Sequence, residues 1–208
     1  LKLDVIVGKA FPNTRTPVFS EEMRYLVFRP YWDVPYSIAT RELLPEIRKN
    51  PSYMDKQNLE LVRGPGDDAK PVPPTQENLA ALVAGTLRLR QRPGNDNALG
   101  LIKFMLPNEY NVYLHSTPAK GLFREARRAF SHGCIRVSDP VALAEHVLKD
   151  QPGDWTREKI EAAMNGTETF RVPLSKPIPV YILYGTAIVS EAGQVFFFDD
   201  VYGHDARL

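Results

Sequence analysis

The residues best suited to chemistry lie between positions 115 and 136. Cys134, the only cysteine in the chain, stands in Ser131-His132-Gly133-Cys134-Ile135-Arg136. A thiolate is the strongest nucleophile among ordinary side chains, but the thiol needs a base or positive surroundings to ionise. Gly133 removes a side chain just before it. A tight turn there can expose the sulfur and bring the Gly133 and Cys134 N–H groups toward a developing oxyanion. His115 ends a run of strand-forming residues nineteen positions upstream. If that strand neighbours the cysteine turn, the two residues are the minimum set for covalent acyl transfer. Five basic residues (Lys120, Arg124, Arg127, Arg128, Arg136) and one acid, Glu125, lie between Lys120 and Arg136. Such a patch would favour the thiolate and hold a substrate carboxylate, for which Arg is the suited residue; a solvated basic surface is the bland alternative.

The lone cysteine excludes an internal disulfide and a multi-cysteine metal knot. A non-enzymatic zinc or binding module built on His115, His132 and Cys134 is a second reading. It lacks a clear fourth ligand, because His146 belongs to a later helix and His204 to a polar tail where it is expected to be solvated. No metal and no cofactor are therefore expected.

The elements that must position these residues read as mainly β with segregated helices, an α+β class. Leu3, Val5 and Val7 alternate, and Tyr25 to Phe28 is rich in β-formers. Leu101 to Leu106 and Asn111 to His115 read as a hairpin about Pro107-Asn108-Glu109, and Ser131 to Val137 as a turn entering a short strand. Asp139-Pro140 opens a helix, and a second helix runs from Thr156 to Met164 before Gly166. Val180 to Val189 and Val195 to Phe198 read as a closing hairpin, with Phe196-Phe197-Phe198 in the core or against the cap. Between residues 37 and 91 the texture is helical, with Ile38, Leu43, Leu44, Ile47, Leu79, Leu82 and Val83 giving a small core. This segment is expected to be a helical cap inserted into a single domain of residues 1–208, mobile over the Cys134 groove.

Composition narrows the partners. Of 208 residues, 43% are hydrophobic and 25% charged, and 26 basic against 25 acidic residues leave +1. No global field favours nucleic acid or a membrane surface, and no uncharged run is long enough to span a bilayer. The 18 prolines argue for short elements and many loops. A transmembrane protein, a disulfide scaffold and a simple helical bundle are excluded. The chain starts at Leu1 without a signal pattern, as a trimmed or mature fragment would.

At these residues the chain resembles the YkuD-type L,D-transpeptidase family, whose signature is a His, a gap of roughly fifteen residues, then Ser/Thr-His-Gly-Cys, an apolar residue and Asn or Arg. Here it reads His115, fifteen residues, then Ser131 to Arg136. Asn97-Ala98-Leu99-Gly100, Tyr113 to Pro118, Asp200-Val201-Tyr202-Gly203 and the upstream insertion resemble the large YcbB-type periplasmic murein enzymes. The resemblance implies a β-sandwich-like catalytic core and a periplasmic or cell-envelope location. It implies a cysteine acyltransferase that cuts the diaminopimelate–D-Ala bond of a donor tetrapeptide and forms 3→3 cross-links in peptidoglycan biosynthesis, a process tied to cell shape, and a carbapenem target. Hydrolysis at the same site, as an L,D-carboxypeptidase, is the alternative. Cys134, His115 and Gly133 are then the expected catalytic set. Arg136, His132, Ser131, Tyr113 and Ser116 are expected to meet the stem peptides of donor and acceptor, and a carbonyl near Ser116 is expected to orient His115. The chain is expected to act as a monomer.

Overall fold

Apolar residues at every second position share one face of a strand. Leu26 and Phe28, and Ile102 and Phe104, follow that spacing, and with Val137 they lie in the main core. The computed structural model describes residues 1–11 and 14–207. Its main strands are β1 (Val5–Gly8) and β2 (Phe19–Phe28), then, beyond a second sheet of four strands β3–β6 given below, β7 (Ile102–Met105), β8 (Leu114–His115), β9 (Ala129–Ser131), β10 (Ile135–Val137) and β11 (Phe170–Ile182). They form a seven-stranded sheet in the order β11-β2-β7-β8-β10-β1-β9. Leu26, Phe28, Ile102 and Phe104 are fully buried on one face, with Val137 nearly so. Two helices, Pro140–Leu148 and Arg157–Asn165, cover that face with Ala144, Val147, Leu148, Ile160 and Met164. Both begin as the sequence suggests: Asp139 accepts from the Ala142 N–H at 2.9 Å, with Pro140 in the first turn, and Thr156 accepts from the Lys159 N–H at 3.3 Å. The mostly β class with few helices is the architecture observed.

The inserted segment is not helical throughout. Helical chain runs from Tyr36 to Lys49, as α1 (Tyr36–Ile38), a π-turn (Ala39–Leu43) and α2 (Leu44–Lys49), followed by α3 (Tyr53–Lys56) and, later, α4 (Gln76–Val83). The rest is a second sheet of β3 (Trp32–Asp33), β4 (Leu59–Arg63), β5 (Lys70–Val72) and β6 (Arg88–Gln91), ordered β3-β6-β4-β5. Leu61 lies opposite Leu89, and with Leu59, Ile38, Ile47 and Leu82 they form a second apolar cluster, so the two-residue spacing of Leu59 and Leu61 spells a strand amid helical text. The π-turn has a local cause. Pro45 has no N–H to return to the Arg41 carbonyl, and the Leu44 N–H bonds instead to the Ala39 carbonyl, five residues back.

Two further expectations are corrected. β7 and β8 are joined by residues 106–113, not by a three-residue turn. Asn108 organises this loop, its Oδ1 accepting from the Tyr110 N–H at 3.0 Å and the Val112 N–H at 3.2 Å. The closing hairpin forms from β12 (Ala187–Val189) and β13 (Val195–Phe197), but these strands pair only with each other. Phe196, Phe197 and Phe198 are consequently 47%, 81% and 55% exposed rather than core.

Arg90 fastens the second sheet. It lies opposite Glu60 across β4 and β6 and bonds it at 2.6 Å, with both side chains largely buried. It also donates to the Asp67 carbonyl at 2.8 Å and the Ala69 carbonyl at 3.1 Å, and its guanidinium stacks 4.1 Å from the Tyr31 ring. Arg90→Met leaves the Glu60 carboxylate and two carbonyls without their donor. The expected loss is about 3 kcal/mol in chemical denaturation, with faster proteolysis at residues 64–69; a loss below about 1 kcal/mol would contradict this account.

Candidate active site

The opposite face of the seven-stranded sheet carries the polar residues that alternate with the core. β8 and β10 run parallel, with Ile135 opposite Leu114 and Arg136 opposite His115, and the Ile135 N–H bonds to the Tyr113 carbonyl at 3.0 Å. Side chains two residues apart on a strand share a face. Tyr113 and His115 therefore share a face with Arg136, and Cys134 enters at the end of β10 beside Tyr113. β7 extends the same rung, with Lys103 opposite His115. This register brings together residues that the chain separates by up to 33 positions.

His115 is buried, and its Nδ1 lies 2.6 Å from the Ser116 carbonyl oxygen. A carbonyl can only accept, so Nδ1 carries the proton and Nε2 keeps the free lone pair. Burial is the main cause that brings the imidazole pKa down from 6.5 to about 4, and the Arg136 and Lys103 charges add to it. Burial also pushes the Cys134 thiol up, against opposing pulls from the Tyr113 backbone and hydroxyl and from the Lys103 and Arg136 charges. Both groups are thus neutral at rest. The thiol points to the Asn111 carbonyl, with Sγ 3.7 Å from the oxygen. Among the described residues no hydrogen bond joins it to His115, and such contacts commonly tighten only when substrate binds. Tyr113 lies against the thiol and meets the His115 ring edge-on at 5.8 Å; burial, then Cys134, drives its own pKa well above the usual value.

The remaining sequence candidates divide. Ser131 is 2% exposed, and its hydroxyl both donates to the Cys134 carbonyl at 2.6 Å and accepts from the Gly133 N–H at 3.1 Å. The serine braces the turn. The Gly133 N–H is thereby engaged, while the Cys134 N–H has no internal partner among the described residues. What Gly133 supplies is conformation: its φ of +123° lies where a side chain is strained. Ser116 is buried too, its Oγ accepting from the Leu101 N–H at 2.7 Å, and a Cβ at Gly100 would approach that oxygen to 2.1 Å. His132 points outward, with Nε2 3.0 Å from Glu42 Oε1 in the π-turn, so the inserted segment touches the cysteine turn. The Arg124–Arg128 cluster does not supply the charge at the thiol. Arg128 pairs with Asp4 at 3.0 Å and Arg127 with Asp199 at 3.8 Å, while the cations acting on Cys134 are Lys103 and Arg136.

Three supporting residues escaped the sequence reading. Thr16 Oγ1 donates to the Gly133 carbonyl at 2.8 Å and accepts from the Gly8 N–H at 2.9 Å. The Tyr202 hydroxyl donates to the Gly8 carbonyl at 2.8 Å and accepts from the Thr16 N–H at 3.2 Å. Lys103 is the third, a lone charge in the apolar text of β7. Tyr202 is held by stacking on Tyr184 at 5.3 Å, and the Tyr184 hydroxyl bonds Asp200 at 2.6 Å. His204 packs edge-on against Tyr184 at 4.9 Å rather than being free in solvent. Only the motif quoted around Tyr202 could have pointed to this buttress.

Among the described residues no three His, Cys, Asp or Glu side chains converge as metal ligands, and no helix is long and apolar enough to cross a membrane. Comparison with known proteins agrees with the site. The profile of the YkuD L,D-transpeptidase catalytic domain matches residues 1–181. A Haemophilus influenzae protein named as a candidate L,D-transpeptidase is 32% identical over 208 residues, covering 100% of this chain and 41% of that protein. The chain thus spans about two fifths of the length of the curated relative it matches.

Two measurements test this geometry. Tyr202→Phe removes one donor and one acceptor beneath the turn, with an expected loss of about 1–3 kcal/mol in denaturation midpoint analysis; an unchanged midpoint would show that the tyrosine bears on nothing. For His115, the unfolded chain binds the proton near pH 6.5 and the folded one near 4. Stability is therefore lost as pH falls from about 6.5 to about 4, by about 3 kcal/mol from this group. His115→Gln should lack that part of the slope, and parallel pH–stability curves for the two proteins would refute the burial argument.

Proposed function

The chain belongs to the YkuD family of L,D-transpeptidase catalytic domains, and on that premise we propose that it transfers acyl groups through Cys134. The observation that carries this reading is the shared strand face: the thiol, the Tyr113 ring and an imidazole whose Nε2 lone pair is left free converge there. In the proposed reaction the Cys134 sulfur attacks the carbonyl carbon of diaminopimelate in its amide bond to D-Ala. Nε2 of His115 takes the thiol proton and passes it to the departing amine, so D-Ala leaves and a thioester remains. The Cys134 N–H is the free backbone donor for the oxyanion, and Arg136 faces the acyl half of the donor. The amine of a second stem then attacks the thioester, forming a 3→3 cross-link and returning the thiol. Water in its place makes the same site an L,D-carboxypeptidase.

The reading extends to the surroundings. Residues 37–91 form a cap bordering the groove, which the Glu42–His132 contact supports, and exclusion of water beneath it favours the amine. The proposed reaction takes place in the cell envelope, on peptidoglycan stem peptides, a reading that membership of the YkuD family supports.

The test is a mass spectrum of the protein after exposure to a tetrapeptide stem. An acyl adduct on Cys134 with D-Ala released is expected, and Cys134→Ser should form no adduct, its acylation falling by at least ~10³-fold because a serine hydroxyl is hardly ionised. Wild-type turnover by the serine variant would overturn the nucleophile assignment. Adding a second stem separates transfer from hydrolysis by the mass of the product.

A further inference from the structure

Lys103 is the charged group on the active face that the reaction above does not use. It lies directly opposite His115 across β7 and β8, and Arg136 lies opposite His115 from the other side. The order across the sheet is thus Lys103, His115, Arg136, one residue per strand, at roughly 5 Å per step. Among the described residues Lys103 has no carboxylate within ion-pair distance and no hydrogen-bond acceptor; its Nζ rests 5.0 Å from the centre of the Tyr113 ring. Asp33 of β3 and Asp67 of the inserted segment favour its charge from farther off, but Asp33 is bonded to Arg88 and Asp67 to Arg171. Arg136 Nε is also buried without a partner. Burial works against the charge on both. Two poorly compensated cations beside one catalytic histidine are costly unless an anion joins them.

The direction of the reaction says which anion this is for Lys103. The proton must pass from His115 Nε2 to the departing amine, so the leaving residue lies over His115, away from the thiol. The α-carboxylate of that residue is two bonds from its amine nitrogen and therefore reaches the next strand, where Lys103 stands. We propose that Lys103 is a specificity-determining residue that binds the free α-carboxylate of the leaving amino acid. The site is thereby restricted to donors cut at their last peptide bond. This assignment rests on the acyl-transfer reading given above.

The experiment has two arms. In the first, acylation of Cys134 is compared between a tetrapeptide stem and its C-terminal amide, for wild type, Lys103→Met and Lys103→Arg. Wild type should prefer the free acid by ~10–100-fold, the worth of a charge-assisted contact. Lys103→Met should abolish that preference mainly through a raised KM, and Lys103→Arg should keep most of it. An undiminished preference in Lys103→Met would overturn the proposal. The second arm needs no peptide: Cys134 is alkylated by iodoacetate and by neutral iodoacetamide. Losing Lys103 slows both reagents through the thiol, so the ratio of the two rates is read. A fall in the iodoacetate-to-iodoacetamide ratio of ~5-fold or more in Lys103→Met supports the anion subsite, and an unchanged ratio sinks it. If the ratio falls but neither stem peptide acylates the enzyme, the subsite stands and the stem-peptide reading fails. A wild-type-like circular dichroism spectrum and a cooperative thermal transition report that the variant is folded, and Lys103→Gln replaces it if it is not.

Discussion

The parallel pairing of β8 with β10 is the constraint on which the rest of the molecule depends. β8 is two residues long and β10 three, yet their register sets His115 beside Arg136 and brings Cys134 to Tyr113. Side chains on a strand alternate between faces, so a slip of one residue would turn the thiol into the helix-covered core and bring Ile135 to the surface. The apolar positions Leu114 and Val137, packed in the helix-covered core, therefore guard the geometry of the Cys134 face as well as the fold. The Cys134 face and the core are two readings of one strand period.

Such short strands cannot hold a register alone, and the hydrogen bonds around them compensate. Thr16, from the loop after β1, and Tyr202, from the C-terminal tail, meet under the Gly133 turn through the Gly8 and Gly133 carbonyls. Ser131 closes the turn from within, and Ser116 ties the end of β8 to the start of β7. These bonds are buried, where an unmade one costs most, so together they specify one conformation. Tyr202 lies beyond the residues matched by the family profile, so the cysteine turn depends on chain outside that core.

Electrostatically the site is held short of ionisation. Burial lowers the imidazole and raises the thiol, so the proton stays on sulfur. Lys103 and Arg136 oppose the second effect without cancelling it. A buried, protonated thiol of this kind reacts slowly with casual electrophiles. The inserted segment bears on the cysteine turn through Glu42, which its π-turn aims at His132. The proline that forces the π-turn thus shapes the border of the site.

What the sequence by itself determined was local. The His-Gly-Cys turn, its distance from His115, the Asp139 and Thr156 caps and the alternation of the strands are written in adjacent residues, and the family follows from them. The carbonyl partner of His115, at Ser116, was expected through the family resemblance alone. Tertiary structure alone decided which charges face the thiol. The basic cluster at Arg124–Arg128 is conspicuous in the text but turns to solvent and to Asp4, whereas Lys103 is inconspicuous within apolar text and turns to the site. The strands at Leu59 and Leu89 were hidden for a related reason: two short runs of period two, far apart in the chain, become legible only when they pair. The same holds for Thr16 and Tyr202, 186 residues apart. A contact of that separation leaves no local pattern, because its stabilisation is realised only after the chain has closed the loop between them.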